Sequence, residues 1–202
     1  MSVISTAWPV RSVWLGVSVE NQATADARIP WLLKTPAALR FVSYEPALGP
    51  VDFTKICLSD GDFLGPYLHS LGLDTRLDWI ICGGESGLNA RPCHLAWLRS
   101  VVKQCQNARV PCWVKQLGSH SVGGCAALVD PDSPALWDSR FHWQHRAGAD
   151  PSEWPTDLQV QQFPEVHDDN THPHTHCERI ESAGALGHAG QASAAAAYRS
   201  VL

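Results

Sequence analysis

Residues 77–92, LDWIICGGESGLNARP, are the stretch that decides the predicted fold. Residues 79–81, WII, are apolar and β-branched or aromatic, which is typical of a buried strand. The pair Gly83 and Gly84 follows, where a strand can open and let other backbone approach closely. A carboxylate, Glu85, comes directly after the glycines. This order is typical of the C-terminal end of a strand in a parallel βα unit, where α/β proteins bind their ligands.

The segments on either side alternate between strand and helix. The predicted strands are residues 13–20, 40–45, 78 onward and 111–116, and the predicted helices are residues 21–34 and 94–108. Asn21 is the expected N-cap of the first helix, and Ala23, Ala27, Leu32 and Leu33 are its expected apolar stripe. The alternation favours parallel strands joined by crossover helices, and four strands are too few to close a barrel. We therefore predict an α/β fold, a partial parallel (β/α) barrel of about four strands.

Composition divides the 202-residue chain into four predicted parts. They are an irregular lead-in (1–12), a partial βα-barrel domain (13–118), an irregular C-terminal extension (119–164) and a largely disordered tail (165–202). The extension is broken by proline and glycine, and the tail has few large apolar residues. Histidines cluster in residues 167–177 of this tail. Because no core would fix ligand geometry there, we expect only adventitious metal binding.

Charge and cysteine usage exclude several classes of protein. The net charge is -5, the isoelectric point is about 6.0 and no basic stripe is present, which disfavours nucleic-acid binding by bulk charge. No apolar run is long enough to span a membrane, and the first residues lack the pattern of a signal peptide. The seven cysteines are irregularly spaced and form no C-x-x-C motif, which is typical of reduced thiols. We expect a cytoplasmic protein.

Three of the predicted strands end in a carboxylate. Because side chains alternate along a strand, Glu20, Glu45 and Glu85 should each follow small or polar residues on one face. Lys115 ends the fourth strand. Clustered carboxylates repel, so at least one pKa should rise unless a cation or metal lies among them. Such a set suits proton transfer, binding of a divalent metal or binding of a substrate amine. The alternative is that each glutamate only caps a helix or faces water. We favour a shared site, with Glu45, Glu85 and Lys115 as candidate catalytic residues.

Several segments together resemble the phage gp thirty-seven/gp sixty-eight family, a domain of unknown function. VWLGVSVE (13–20), RFVSYEPALGPVD (40–52), DWIICGGESGLNARP (78–92) and VPCWVKQLG (110–118) resemble its successive motifs, and DPSEWPTDLQVQQFP (150–164) resembles its usual ending. The resemblance implies a radical-SAM-like protein with a partial parallel βα barrel. In such a protein a three-cysteine loop holds a [4Fe–4S] cluster and S-adenosylmethionine binds across the strand ends. The residues it implies in the cofactor or substrate pocket are Ser18, Glu20, Ser43, Glu45, Gly83, Gly84, Glu85 and Lys115. Ser86 and Arg91 are further candidates for cofactor binding; a surface salt bridge is the equal alternative for Arg91.

The sequence departs from this family pattern at its beginning. It starts at the later strands, without the cysteine loop and roughly the first three strands. A cluster needs its thiolates, and reductive cleavage of S-adenosylmethionine needs the cluster. We expect a chain that is inactive alone, being either truncated or completed by another polypeptide. The bare strand edge before Val13 invites pairing. The alternative functions are a module that completes a barrel with a partner chain or with itself, and a divalent-metal site formed by the carboxylates.

Overall fold

The computed structural model of the chain describes residues 8–55, 76–123 and 140–165. Residues 1–7 of the predicted lead-in, almost all of the predicted insertion (54–76) and residues 166–202 of the predicted tail lie outside the described residues. Contacts divide the chain into two units, Met1–Gln162 and Phe163–Leu202. The described part of the second unit, residues 163–165, contains no helix or strand.

A parallel sheet of four strands forms the centre of the first unit. The described residues contain two further short strands, so that the six strands in chain order are β1 (Trp14–Ser18), β2 (Leu39–Tyr44), β3 (Trp79–Gly83), β4 (Cys93–His94), β5 (Cys112–Gln116) and β6 (Ser121–Val122). The sheet has the order β1-β2-β3-β5 with every pair parallel, and β4 pairs with β6 separately. The prediction of four parallel strands with helical crossovers is confirmed. Among the described residues the sheet does not close into a barrel.

Two helices connect these strands, α1 (Gln22–Lys34) and α2 (Leu95–Ala108). Asn21 is the N-cap of α1, as predicted, because its side chain accepts a hydrogen bond from the Thr24 backbone N–H and the Thr24 side chain accepts one from the Asn21 backbone N–H. Pro30 lies inside α1 without dividing it. No helix in the described ranges is long and apolar enough to cross a membrane.

The buried stripe of α1 differs from the prediction. Ala25 and Ile29 are buried together with Leu32 and Leu33, whereas Ala23 and Ala27 are exposed. The prediction was wrong for the two alanines because they repeat every four residues with Trp31, whose side chain is also exposed. The helix therefore presents its branched residues, and not these alanines, to the sheet.

Both helices pack against the same face of the sheet. The strand residues in this core alternate along the chain, as a pleated strand requires: Val42, Tyr44, Ile80, Cys82, Cys112 and Val114. The opposite face carries Trp14, Gly16, Ser18, Phe41, Ser43, Trp79, Ile81, Gly83 and Trp113. We call it the helix-free face, because no described helix covers it. The Trp79 ring contacts Trp14 and Phe41, with ring centroids 6.1 Å apart in both pairs.

The two edges of the sheet differ. Residues 160–162 run antiparallel along the outer edge of β5, where Val114 N–H donates to Val160 O at 2.8 Å and Gln162 N–H donates to Cys112 O at 2.9 Å. At the other edge, β2 is the only strand paired with β1 among the described residues. The fold thus covers the β5 edge and leaves the β1 edge without a described partner strand.

Candidate functional site

The C-terminal ends of the four parallel strands lie at one edge of the sheet, and backbone hydrogen bonds connect the segments that leave it. Ala47 N–H donates to Gly83 O at 2.9 Å, and Gly84 N–H donates to Gln116 O at 3.0 Å. These bonds fix the residues that follow β2 and β3 against each other and against the end of β5. Ligands of open α/β sheets bind at such an edge.

Glu45 lies at the centre of this edge. It directly follows β2, and the Ser43 hydroxyl on the helix-free face donates a hydrogen bond to Glu45 Oε2 at 3.2 Å. Lys115 Nζ lies 3.6 Å from the same oxygen. The side chains of Glu45 and Lys115 are 16% and 30% exposed, so the ion pair is only partly hydrated. Ser43, Glu45 and Lys115 form what we call the Glu45 cluster.

A bulge in β5 positions the lysine of this cluster. The pairing between β3 and β5 passes from Cys82 with Val114 to Gly83 with Gln116, so Lys115 is an extra residue without a partner opposite it. A bulge of this kind bends the strand and redirects the side chain at that point. The Lys115 ammonium group consequently reaches the carboxylate that follows β2, two strands away in the sheet.

The second oxygen of Glu45 is buried against Gly83. A Cβ atom built on Gly83 would lie 2.7 Å from Glu45 Oε1 and 2.9 Å from Gln116 O. The Glu45 carboxylate therefore fills the space that the side chain of any other residue at position 83 would need. Oε1 has no hydrogen-bond donor among the described residues. Burial raises the pKa of Glu45, and the Lys115 charge and the Ser43 hydrogen bond oppose this rise. A buried carboxylate oxygen without a hydrogen-bond donor disfavours the ionised form of Glu45, in line with its raised pKa.

Glu85 has a different partner. Arg91 donates to its carboxylate from Nε at 2.8 Å, from Nη2 at 3.0 Å and from the backbone N–H at 2.8 Å. These hydrogen bonds lower the pKa of Glu85 to about 2. The pKa of Arg91 is raised, mainly by its hydrogen bond to Glu85 and further by the charges of Glu85 and Glu20. Glu85 is therefore ionised, and its hydrogen bonds with Arg91 hold together the two ends of the loop formed by residues 85–91.

Replacing Arg91 with methionine should remove one part of the acid sensitivity of the protein. In the wild type the lowered pKa of Glu85 contributes stability above its ordinary value of 4.5, and this contribution is lost as the pH falls through about 2. Urea unfolding of the two proteins at several pH values between these limits should therefore show a difference in stability that shrinks towards low pH. A constant difference would contradict the pairing, and Glu85→Gln should abolish the effect of Arg91→Met.

Glu20 lies at the beginning of α1. Its carboxylate accepts from Arg28 Nη1 at 3.1 and 3.3 Å, and its backbone N–H donates to Thr24 Oγ1 at 2.9 Å. The three carboxylates thus have different cationic partners, Arg28 for Glu20, Lys115 for Glu45 and Arg91 for Glu85. Within the described ranges no group of three His, Cys, Asp or Glu side chains could hold a metal ion. The geometry gives the divalent-metal alternative no support.

The predicted site residues therefore fall into separate groups. Ser43, Glu45, Gly83 and Lys115 lie together, Glu85 pairs with Arg91, and Glu20 pairs with Arg28. Gly84 lies against the Leu117 backbone, while Ser18 and Ser86 are exposed. Sequence reasoning missed Arg28, and it missed Gln116, whose side chain donates to Gly84 O at 2.9 Å. The proximity of Gln116 to Lys115 in sequence was the only signal for it, and no motif marked Arg28.

Comparison with protein families gives one result for the chain. The model of a family described as "Protein of unknown function (DUF5131)" matches residues 1–179. The chain belongs to the DUF5131 family. No curated protein matches it, and no solved structure matches it. The description of DUF5131 assigns no activity, so functional inference for this member rests on the geometry of its site.

The four thiols that the structure describes in this DUF5131 member do not fit a [4Fe–4S] cluster. The described cysteines, Cys82, Cys93, Cys105 and Cys112, are unpaired and buried in the core beneath the helices. Burial raises the pKa of Cys93 to about 12, and hydrogen bonds to Cys112 together with burial raise the pKa values of Cys82 and Cys105. The same hydrogen bonds lower the pKa of Cys112, so only one of the four thiols favours the thiolate that an iron ligand must be. Cys57, Cys125 and Cys177 lie outside the described residues. The Glu45 cluster, in contrast, combines a buried carboxylate oxygen, Oε1, with the partly exposed ammonium group of Lys115.

Proposed function

We propose that this chain is the ligand-binding C-terminal portion of a radical-SAM-like protein of the phage gp thirty-seven/gp sixty-eight type, and that it is inactive alone. Its four-stranded sheet would be part of a (β/α) barrel, and the Glu45 cluster would bind S-adenosylmethionine. The observation that carries the proposal is the buried Glu45 Oε1 without a donor, beside Lys115 at the C-terminal edge of a parallel sheet.

Two features of the fold support this assignment. The strands follow one another in the sheet in the same order as in the chain, as the strands of a (β/α) barrel do. Active sites of such barrels lie at the C-terminal ends of the strands, the edge where the Glu45 cluster is found. The resemblance of the motifs, not the sheet alone, points to S-adenosylmethionine.

Each residue of the cluster has a distinct expected part in binding. The Glu45 carboxylate would accept from an ammonium or hydroxyl group of the ligand, and Lys115 would donate to a carboxylate or another acceptor. Ser43 keeps the Glu45 carboxylate in place through its hydrogen bond to Oε2. S-adenosylmethionine supplies a sulfonium bond that can be cleaved reductively, and this chain has no described residues that would hold the cluster needed for cleavage.

Calorimetric titration with S-adenosylmethionine tests the proposal. The wild type should release or absorb heat of binding, and Glu45→Gln should weaken the affinity by roughly ten- to a hundred-fold, the effect of losing a charge-assisted hydrogen bond. Glu85→Gln is the matched control, because it makes the same chemical change in a carboxylate that Arg91 already occupies. It should leave the affinity unchanged.

Two results would contradict the proposal. One is the absence of binding heat for the wild type, or equal affinity in wild type and Glu45→Gln. The other is stoichiometric iron after anaerobic reconstitution together with release of methionine from S-adenosylmethionine, which would make the chain active alone.

A further inference from the structure

The outer edge of β1 exposes an ordered row of backbone groups. Val19 N–H donates to Ser43 O, so odd-numbered residues of this segment face β2 and even-numbered ones face outward. The N–H and C=O groups of Trp14, Gly16 and Ser18 therefore point away from the sheet. Among the described residues, one contact to this row is present, from Arg28 Nη1 to Ser18 O at 2.7 Å.

The side chains of β1 offer little protection to this edge. Natural sheets protect an exposed edge with charged residues, proline or a bulge within the strand, and the sequence of β1, WLGVS, has no charged residue or proline. Leu15 and Val17 pack against the core but are only partly buried, and Trp14 is only partly buried on the helix-free face. A further strand beside β1 would bury these apolar side chains.

We propose that a second copy of this chain pairs antiparallel with β1 along this edge, with Gly16 of one copy opposite Gly16 of the other. This register places Trp14 opposite Ser18 at both ends, so that a large side chain faces a small one. All residues with outward N–H and C=O groups then fall in hydrogen-bonded pairs. Leu15 comes opposite Val17, which extends the apolar core across the junction.

Charge and symmetry favour a second copy over another occupant. Arg11 precedes β1, and Glu20, whose carboxylate also binds Arg28, follows it, so the antiparallel register brings Arg11 of one copy near Glu20 of the other. Parallel pairing of two copies would place like charges together. The antiparallel contact is also closed, since the same edge serves both copies and no further chain can add. Ser18 O has a second lone pair, so pairing is compatible with its bond from Arg28.

Sedimentation velocity over a range of concentrations, combined with hydrogen exchange, tests this pairing. We expect a reversible dimer in which the amides of Trp14, Gly16 and Ser18 are protected and lose protection on dilution. The amides of Leu15 and Val17, which face β2, should stay protected at every concentration and serve as internal controls. A monomer at all concentrations would overturn the proposal, as would a dimer whose outward amides exchange freely.

A pair of variants at Ser18 gives a second measurement. Ser18→Pro removes the outward N–H together with the hydroxyl, at a position where an edge strand tolerates proline, and should weaken the dimer by roughly ten-fold or more. Ser18→Ala keeps the N–H and should dimerise like the wild type. Equal dimerisation of both variants would overturn the register. If Ser18→Pro does not fold, the exchange measurement on the wild type decides. The pairing is proposed for this chain alone, since a barrel strand from another polypeptide would compete for the same edge, and neither result depends on ligand binding by the Glu45 cluster.

Discussion

Replacing Lys115 with methionine is expected to lower the free energy of unfolding by about 1–3 kcal/mol near pH 7, because it leaves the partly buried Glu45 carboxylate without its cation. Burial already raises the pKa of Glu45, and Lys115 opposes that rise, so the pKa should rise further in the variant. A group with a raised folded-state pKa stabilises the protein fully below its unfolded-state pKa. This stability is lost as the pH rises through the folded-state pKa.

The loss of unfolding free energy in Lys115→Met should therefore increase with pH. It should be small below 4.5, the ordinary pKa of a glutamate, and should grow as the pH rises above that value. Urea unfolding curves at acidic and neutral pH measure this difference. Lys103→Met, on the exposed surface of α2, is the matched control and should show no such trend. An equal loss of stability at both pH values would mean that Glu45 and Lys115 do not form the pair.

Replacing Gly84 with alanine is expected to lower the free energy of unfolding by about 1–3 kcal/mol, the usual effect of forcing extra atoms into a packed region. The new Cβ would overlap the carbonyl oxygen of Leu117 and lie 2.8 Å from its carbon and 2.9 Å from Gly118 Cα. All three atoms belong to the backbone, so rotation of a side chain cannot relieve the contact. The segments after β3 and β5 would have to move apart.

Chemical unfolding of Gly84→Ala against Ser86→Ala measures this effect. Ser86 is exposed two residues further along the same loop, so its substitution should change the stability little. The Gly84 variant should also weaken the Glu45 cluster, because Gly84 N–H bonds to Gln116 O beside Lys115. If Gly84→Ala were as stable as the wild type, the backbone at Gly84 could not lie as close to the backbone of Leu117 and Gly118 as these distances require.

The strands and helices followed from the sequence because their signals are local. Apolar runs such as residues 79–81 and the cap at Asn21 lie within the elements that they define, and both are found where predicted. The antiparallel pairing of residues 160–162 with β5 was not predicted. It joins segments about 50 residues apart, and no periodicity within either one encodes that contact.

The three carboxylates show that the alternation of side chains predicts their direction within a strand but not beyond its end. Glu45 directly follows β2 and bonds to Ser43 two residues back, so it keeps the face that the pattern predicted. Glu20 and Glu85 lie two residues beyond the ends of β1 and β3, where the pleat no longer sets the direction of a side chain. Nearby arginines, Arg28 and Arg91, then pair with them. The bulge that positions Lys115 depends on pairing with β3 and has no signal in the sequence of β5.

Carbon-13 NMR titration of the glutamate carboxyl groups, with and without S-adenosylmethionine, tests the central claim most directly. We predict that the pKa of Glu45 lies above the ordinary value of 4.5 and that of Glu85 is about 2, and that the ligand shifts the resonance of Glu45 but not that of Glu85. A Glu45 carboxyl that titrates at or below its ordinary pKa and does not respond to the ligand would contradict a binding site centred on Glu45 and Lys115.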